Sequence, residues 1–585
     1  MIITIHLLLT AAIAAAFAWR FDHAWVAVFS HVLLVAEWDL LILMLARSVR
    51  WPRAVSVALV GATFAAQTWL YALDAIAFTS WGRTVTWRIV TAFAPVMWSG
   101  KEPFPVARPG MTLFLLGPLA LMLIVAARWM RLPRWPSSRA IAAAGAIAAG
   151  AAFAATLRWG VADRDLLLWK DELLASFFRP VGYAFEPTAR REAVADRDAD
   201  LRAAYPRRVA GARRANVVLI IVDSLRADRM QAYGYPRETT PFLGSLVRSG
   251  RMLQVAAAFS TCSESFCGIT STLASREFRD ISARTYQLQD VLRDEGYRAW
   301  FVLSGNHRAW NGLTQFYHVN DEELFDGSMT ERYSMDDDRV VLEGLERVPH
   351  ASEQPAFFYL HLMSTHYLGV QLPQSHFFTR AGDSVEPGAQ AYSILPELEK
   401  SDRYDDKVRQ ADGIIKQIFD ALGEKGYLDR ATVIVTGDHG EGLGERHWAH
   451  GWHLYNEDMR IPLLLYDTPA ATYPDLGFAA QVDIAPTIVD RLGLPVPASW
   501  EGQSLLAPSR RRFTFHQTYF VPNRFAVLYR DGRALYKFIA TPEYGQEELY
   551  DLTRDAHEAS NLVEEQPALA AMLREKVQAY RADNQ

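Results

Sequence analysis

Cysteine is almost absent from this 585-residue chain, which has only Cys262 and Cys267, both in the stretch FSTCSESFCG (259–268). Zinc ribbons and fingers draw on several paired cysteines, so this count excludes them. Positive charge is not in excess either. Lys and Arg number 60 against 66 Asp and Glu, a formal net charge of −6. No basic stripe with interleaved aromatics occurs, which argues against a nucleic-acid partner. A pair of cysteines this close leaves three readings open: a disulfide, part of a metal site, or a nucleophile with a neighbour.

Long apolar runs are present, and all lie at the amino-terminal end. Those near residues 2–19, 24–46, 54–78, 111–127 and 140–157 each approach the roughly twenty residues that span a bilayer core. The first run lacks a basic flank and four more follow, so it reads as a span and not a cleaved signal. Arg47, Arg50 and Arg53 follow the second run, and Arg128, Arg131, Arg134 and Arg139 follow the fourth. Both loops should then be cytoplasmic, which puts everything after residue 157 outside. Glu37 and Asp39 fall inside the second run. They read as a packed polar pair, with a lining for a lipid headgroup as the functional alternative. Residues 158–215 read as a juxtamembrane helix and linker.

From Asn216 the pattern changes. NVVLIIVD (216–223) is a continuous β-branched run of the kind buried on both faces of a parallel sheet. Similar runs end at Ser304–Asn306, at His366 and at Asp438–His439, with helical stretches between them. That alternation predicts an α/β fold whose ligands bind beyond the carboxyl ends of the strands. Residues 216–510 form this domain, and 511–585 predict a small antiparallel sheet with one helix.

The strand ends deliver particular chemistry. Asp223, Asp438 and His439 make a mixed oxygen and nitrogen ligand set, which suits zinc or manganese better than calcium. Cys262 is the expected further ligand and attacking group, because a thiolate binds such metals and a nearby cation lowers its pKa. Thr261 and Ser263 are its rivals, and a Cys262–Cys267 disulfide is the structural alternative, although a helical turn between them would hinder closure. His366 and His450 are expected to hold a substrate's anionic oxygens or protonate a leaving group. Four of the 15 histidines lie in residues 439–453; of these, His447 and His453 read as structural or as an outer shell.

These segments carry a resemblance. NVVLIIVDSLRADRMQAYGYPRETTPFL, TCSES, GDHGEGLGERHWAHGWHLYNEDMRIPLLL and ELYDLTRDAHEASNL resemble, in consistent order, the sulfatase branch of the alkaline phosphatase superfamily. With five spans ahead of it, the chain resembles the membrane phosphoethanolamine and phosphoglycerol transferases of bacterial envelopes. SGNHRAWNG is similar to the glycerol-phosphate pocket of lipoteichoic acid synthases and implies Asn306 and Trp310 as substrate-binding residues. The resemblance implies Asp223, Asp438 and His439 as metal ligands and Cys262 as nucleophile. It implies His366 and His450 as substrate-binding residues. Two departures stand out. Sulfatases show Cys-x-Pro-x-Arg where this chain has Cys-Ser-Glu-Ser-Phe, and Ser224 follows Asp223 where sulfatases tend to have a second aspartate.

The implied fold is an all-α membrane domain (1–157), a linker (158–215), a sulfatase-like catalytic domain with a mostly parallel sheet (216–510) and a small carboxyl-terminal subdomain (511–585). The implied activity is metal-dependent transfer or hydrolysis of a phospho-group ester from a phospholipid to an envelope lipid, a glycan or water. It would take place outside a bacterial inner membrane. A sulfatase and a non-catalytic lipid sensor are the alternatives.

Overall fold

Apolar residues with few helix breakers build the long helices of the amino-terminal part. This is seen in a computed structural model that describes residues 2–21, 25–49, 51–81, 85–87, 138–162, 172–178, 189–308, 310, 312–379, 397–518, 524–542 and 545–582. The chain forms two units, Met1–Val181 and Gly182–Gln585.

The first unit contains α1 (Ile2–Phe21), α2 (Trp25–Val49), α3 (Arg53–Trp81), α4 (Arg139–Ala162) and the short α5 (Leu173–Phe178). By length and composition, α2 and α4 can cross a membrane. The expected span at 111–127, with Arg128, Arg131 and Arg134, lies outside the described residues. Several polar groups on these apolar helices bond to one another, which offsets part of the cost of burying them. Asp39 Oδ2 bonds His6 Nδ1 at 2.8 Å, Glu37 Oε1 accepts from Thr156 at 3.1 Å, and His31 Nδ1 meets Glu172 Oε1 at 2.6 Å. Glu37 and Asp39 thus have separate partners on different helices and are not paired with each other.

The second unit begins with α6 (Ala189–Ala204). The sequence predicts a juxtamembrane helix and linker over 158–215; α6, within that stretch, is bolted to the α/β part. Arg276 bonds Asp198 at 2.6 Å, and Arg190 makes two bonds to Asp280 at 2.5 and 2.9 Å. The central sheet uses β1 (Asn216–Val222), β2 (Leu253–Gln254), β3 (Arg298–Leu303), β4 (Leu324–Asp326), β5 (Ala356–Leu362), β6 (Ala431–Gly437) and β7 (Leu463–Asp467). Their order is β2-β7-β6-β1-β5-β3-β4. β1 runs parallel to both β5 and β6, and β7 is antiparallel to β6. Alternate residues of β1 enter two separate cores. Val217, Leu219 and Ile221 face one, Val218, Ile220 and Val222 the other. Each such side chain contributes about 1.5–3 kcal/mol of burial. Because β1, β5 and β6 are parallel neighbours, their carboxyl ends share one edge.

Two further helices matter below: α7 (Ser265–Ala274) and α8 (Glu397–Glu424). The carboxyl-terminal stretches form an antiparallel sheet, β8 (Phe513–Gln517), β9 (Phe525–Asp531), β10 (Ala534–Thr541) and β11 (Gln546–Asp551), in that order. On it packs α9 (Pro567–Ala582), burying Leu573, Val577 and Tyr580 against Val527, Phe538 and Leu549.

Candidate metal and phosphoryl-transfer site

The strand ends meet as expected. Asp223 follows β1, and Asp438 and His439 follow β6; one ligand atom from each lies within 4.8 Å of the other two. Backbone groups fix the arrangement. Asp438 Oδ1 accepts from the N–H of Ser224 at 2.9 Å and of His439 at 2.8 Å. Ser224 adopts a positive φ of 60° to make that reach. His439 Nδ1 meets the Gly440 carbonyl at 2.6 Å, which orients Nε2 towards Asp223 Oδ1 (3.6 Å) and Asp438 Oδ2 (3.7 Å). Asp438 Oδ2 is buried with no hydrogen-bond partner. An orphaned carboxylate oxygen beside a second carboxylate and an oriented imidazole is a donor set that fits a divalent cation.

Burial drives the titration behaviour of the same groups. It lowers His439 to about 4, leaving the neutral imidazole that a metal needs. It raises Asp223 well above the usual carboxylate range, with Asp438 adding to the effect.

The structure corrects the expectation for Cys262. Its sulfur is bonded to Cys267, with Cα atoms 6.2 Å apart. A sulfur in that bond can neither attack nor ligate as a thiolate. The helical turn expected to hinder this closure does not intervene, because α7 starts only at Ser265. The hydroxyl that reaches the ligand group belongs to Ser265, whose Oγ lies 2.9 Å from His439 Nε2 and 3.3 Å from Asp223 Oδ2. Thr261 and Ser263, the rivals weighed for the sequence, have buried hydroxyls without a hydrogen-bond partner.

Local chemistry explains the placement of Ser265. Glu264 occupies the cap position before α7, and its Oε2 accepts from the backbone N–H of Phe266 (2.9 Å) and Cys267 (3.3 Å). Ser265 is therefore the first residue of the helix and presents its hydroxyl at the helix head. One turn on, Gly268 lets the helix approach the Asp438 backbone, since a Cβ there would collide with the Asp438 carbonyl oxygen.

Both histidines expected to bind substrate stand beside the ligands. His450 stacks 4.2 Å from the His439 ring, and His366 lies 5.4 Å from His450. Burial lowers His366 well below the usual imidazole range. Burial would lower His450 too, but the Glu441 carboxylate, 3.0 Å from its Nδ1, brings it out above the ordinary value. Asn306 follows β3 on a loop, half-buried. Trp310 packs edge-on against Phe266, next to Ser265, at 6.1 Å. His447 and His453 stack on each other at 4.2 Å, with His447 Nε2 3.6 Å from Asp458, and neither belongs to the ligand group.

Sequence reasoning missed four residues here. Ser265 stands in the sequence only as one of several hydroxyls beside Cys262. Glu264 and Glu441 carried no signal beyond a carboxylate in a polar stretch. His361 sits inside β5, its Nε2 3.9 Å from Asp223 Oδ2, and its Nδ1 is 3.3 Å from buried His307. The one available clue was an imidazole interrupting an otherwise apolar strand.

The comparisons agree with this fold. Residues 215–494 match the Sulfatase family, and residues 444–583 match the carboxyl-terminal family of N-sulphoglucosamine sulphohydrolase. The chain is 31% identical over 197 residues to the multifunctional alkaline phosphatase superfamily protein PehA of Trinickia caryophylli, covering 29% of this chain and 37% of that protein. It is 27% identical over 285 residues to phosphoethanolamine transferase EptC of Escherichia coli K12, covering 46% and 48%. The chain thus spans less than half the length of either relative. Among solved structures, the integral membrane protein lipooligosaccharide phosphoethanolamine transferase A of Neisseria meningitidis superposes with a TM-score of 0.53 at 14% identity, over 86% of this chain and 96% of that one. At that identity the likeness is one of fold. Residues 215–494 are a sulfatase-family domain of the alkaline phosphatase superfamily, with a resemblance to the phosphoethanolamine transferases.

Proposed function

We propose that this protein is a membrane-anchored, metal-dependent enzyme that transfers, or hydrolyses, a phospho-group ester such as phosphoethanolamine or phosphoglycerol taken from a phospholipid. Ser265 is its attacking group. The observation that carries the reading is the Ser265 hydroxyl 2.9 Å from His439 Nε2, on side chains able to hold a divalent cation. Asp223, Asp438 and His439 would hold that ion, zinc or manganese by donor type. When bound, it supplies positive charge to the transferring phosphoryl group.

The remaining chemistry belongs to the chain. Ser265 Oγ forms a bond to phosphorus as its proton passes to Asp223 Oδ2, which accepts from it at 3.3 Å, while the bond from phosphorus to the lipid glycerol oxygen breaks. The departing oxygen takes a proton, and His450, kept basic by Glu441, is placed to give it. A hydroxyl of an envelope lipid, of a glycan or of water then gives its proton to His450 and displaces Ser265, whose oxygen recovers its proton from Asp223. His366 holds phosphoryl oxygens, and Asn306 and Trp310 bound the headgroup. The apolar helices α2 and α4 support a multi-pass anchor, and the arginine distribution supports a catalytic domain on the periplasmic side of a bacterial inner membrane. The names of the two phosphoethanolamine transferases support the donor class.

The test is incubation of the full-length protein with vesicles of labelled phosphatidylethanolamine or phosphatidylglycerol, with zinc or manganese. Transfer or headgroup release is expected; neither product with either metal refutes the reading. The match of residues 444–583 to a sulphohydrolase family favours a sulfatase as the second reading. That reading needs Cys262 converted to formylglycine, which peptide mass analysis detects directly. A non-catalytic sensor would have no need of an intact ligand set, and here all three ligands are present and adjacent.

A further inference from the structure

Charge around Ser265 is lopsided. Four buried carboxyl groups stand near it: Asp223, Asp438, Glu264 and Glu441. A divalent cation balances the two aspartates, and Glu441 is paired with His450 at 3.0 Å. Glu264 is left over. It is 4% exposed, and Oε2 is held by two backbone N–H groups of α7, one residue before the attacking hydroxyl. Its Oε1 has no hydrogen bond or ion pair among the described residues. Among the described residues no arginine or lysine is bonded to it. With Ser265 as the attacking group, the position four residues on, where the sulfatase pattern has arginine, is Ile269, and Lys407 on α8 is engaged with the His366 carbonyl at 3.0 Å. Burial pushes the Glu264 carboxyl up to about 8 in spite of nearby His450, as expected where a buried carboxylate lacks a bonded cation. Aromatic faces complete the surroundings. Tyr367 stacks 4.2 Å from His366 and lies 6.3 Å from His450, and ring faces accept a cation as well.

We propose that Glu264 receives a positive charge carried by the transferred group, an ammonium, and so sets the choice between a zwitterionic and a polyol headgroup on the donor. This deepens the function proposed above and rests on it. A polyol headgroup offers Glu264 no charge, whereas an ammonium favours the ionised carboxylate and forms a charge-assisted hydrogen bond to Oε1. The covalent step is unchanged; only the fit of the transferred group differs.

Headgroup release from phosphatidylethanolamine and from phosphatidylglycerol, each in neutral detergent micelles with zinc, tests the proposal. The wild type should prefer phosphatidylethanolamine by at least about tenfold, which is ~1.4 kcal/mol. Glu264→Gln should cut that ratio by about tenfold, and Glu264→Asp should restore part of it. Equal rates in the wild type, or an unchanged ratio in Glu264→Gln, overturn the proposal. A wild type that releases neither headgroup overturns the transferase reading itself, and this inference with it. Soluble competition needs no variant. O-phosphoethanolamine should inhibit the wild type at least about tenfold better than glycerol 3-phosphate, and equal inhibition overturns the proposal.

Discussion

Replacing Ser265 by alanine, beside the same change at Cys262, separates the two candidate attacking groups. Ser265 is buried, and its hydroxyl is held between Asp223 Oδ2 and His439 Nε2. Removing it strands two buried polar atoms in the metal-free protein, at about 1–3 kcal/mol. A bound metal would engage Asp223 and His439 directly, so the loss of stability should shrink in its presence. Turnover should fall by about 10³-fold or more, as for loss of a covalent nucleophile. Cys262→Ala opens the ring closed by residues 262 and 267. For so short a loop the chain-entropy contribution is about 2 kcal/mol. Turnover should drop far less than in Ser265→Ala, and Cys267→Ala should match Cys262→Ala in both respects. Headgroup release and thermal unfolding, each with and without zinc, are the assays. Abolished turnover in Cys262→Ala alone, with activity kept in Cys267→Ala and Ser265→Ala, would refute the reasoning and restore the thiol.

Other consequences are as specific. His450 is held above the usual imidazole range by Glu441, so a step that needs its proton proceeds at low pH and is lost as pH rises through that raised pKa. Glu441→Gln should therefore move the basic limb of the kcat profile to lower pH, and an unmoved limb contradicts the role given to the pair. Gly268→Ala places a methyl group against the Asp438 carbonyl and should weaken zinc binding by about tenfold, as changes behind a metal ligand do; equilibrium competition with a chelator measures it. Lys537 and Glu558 form a buried pair at 2.6 Å between the carboxyl-terminal sheet and the chain beyond it. Lys537→Met should cost about 3–5 kcal/mol by leaving Glu558 uncompensated, while the double change Lys537→Met with Glu558→Gln should recover much of the lost thermal stability.

Much of the fold is legible because it depends on short-range pattern. β1 is buried on both faces, so its sequence is an unbroken apolar run, and the first polar residue after it, Asp223, is a ligand candidate. The same logic finds Asp438 and His439, and clustering in the chain finds His450. The placement of the attacking group was not legible, because it turns on which residue starts a helix. Only Ser263 and Glu264 lie between Cys262 and Ser265, and the choice is made by the Glu264 carboxylate capping α7, a contact of side chain with backbone that no spacing rule encodes. His361 and His307 escaped for the opposite reason: within a buried strand and its loop, an imidazole leaves no periodic trace. Helix α6 was recognisable as a helix, but its attachment to the α/β unit depends on Arg276 and Asp280, about eighty to ninety residues further along the chain.

The most direct test of the account is to find which side chain carries the phospho group during turnover. The full-length protein, mixed with zinc and labelled phosphatidylethanolamine, is quenched in acid within the first turnovers and digested, and the peptide spanning residues 259–276 is sequenced by mass spectrometry. The account predicts a phosphoethanolamine ester on Ser265, with the bond between Cys262 and Cys267 intact. An adduct on Cys262, Thr261 or Ser263, or turnover with no adduct on this peptide at any quench time, would contradict it.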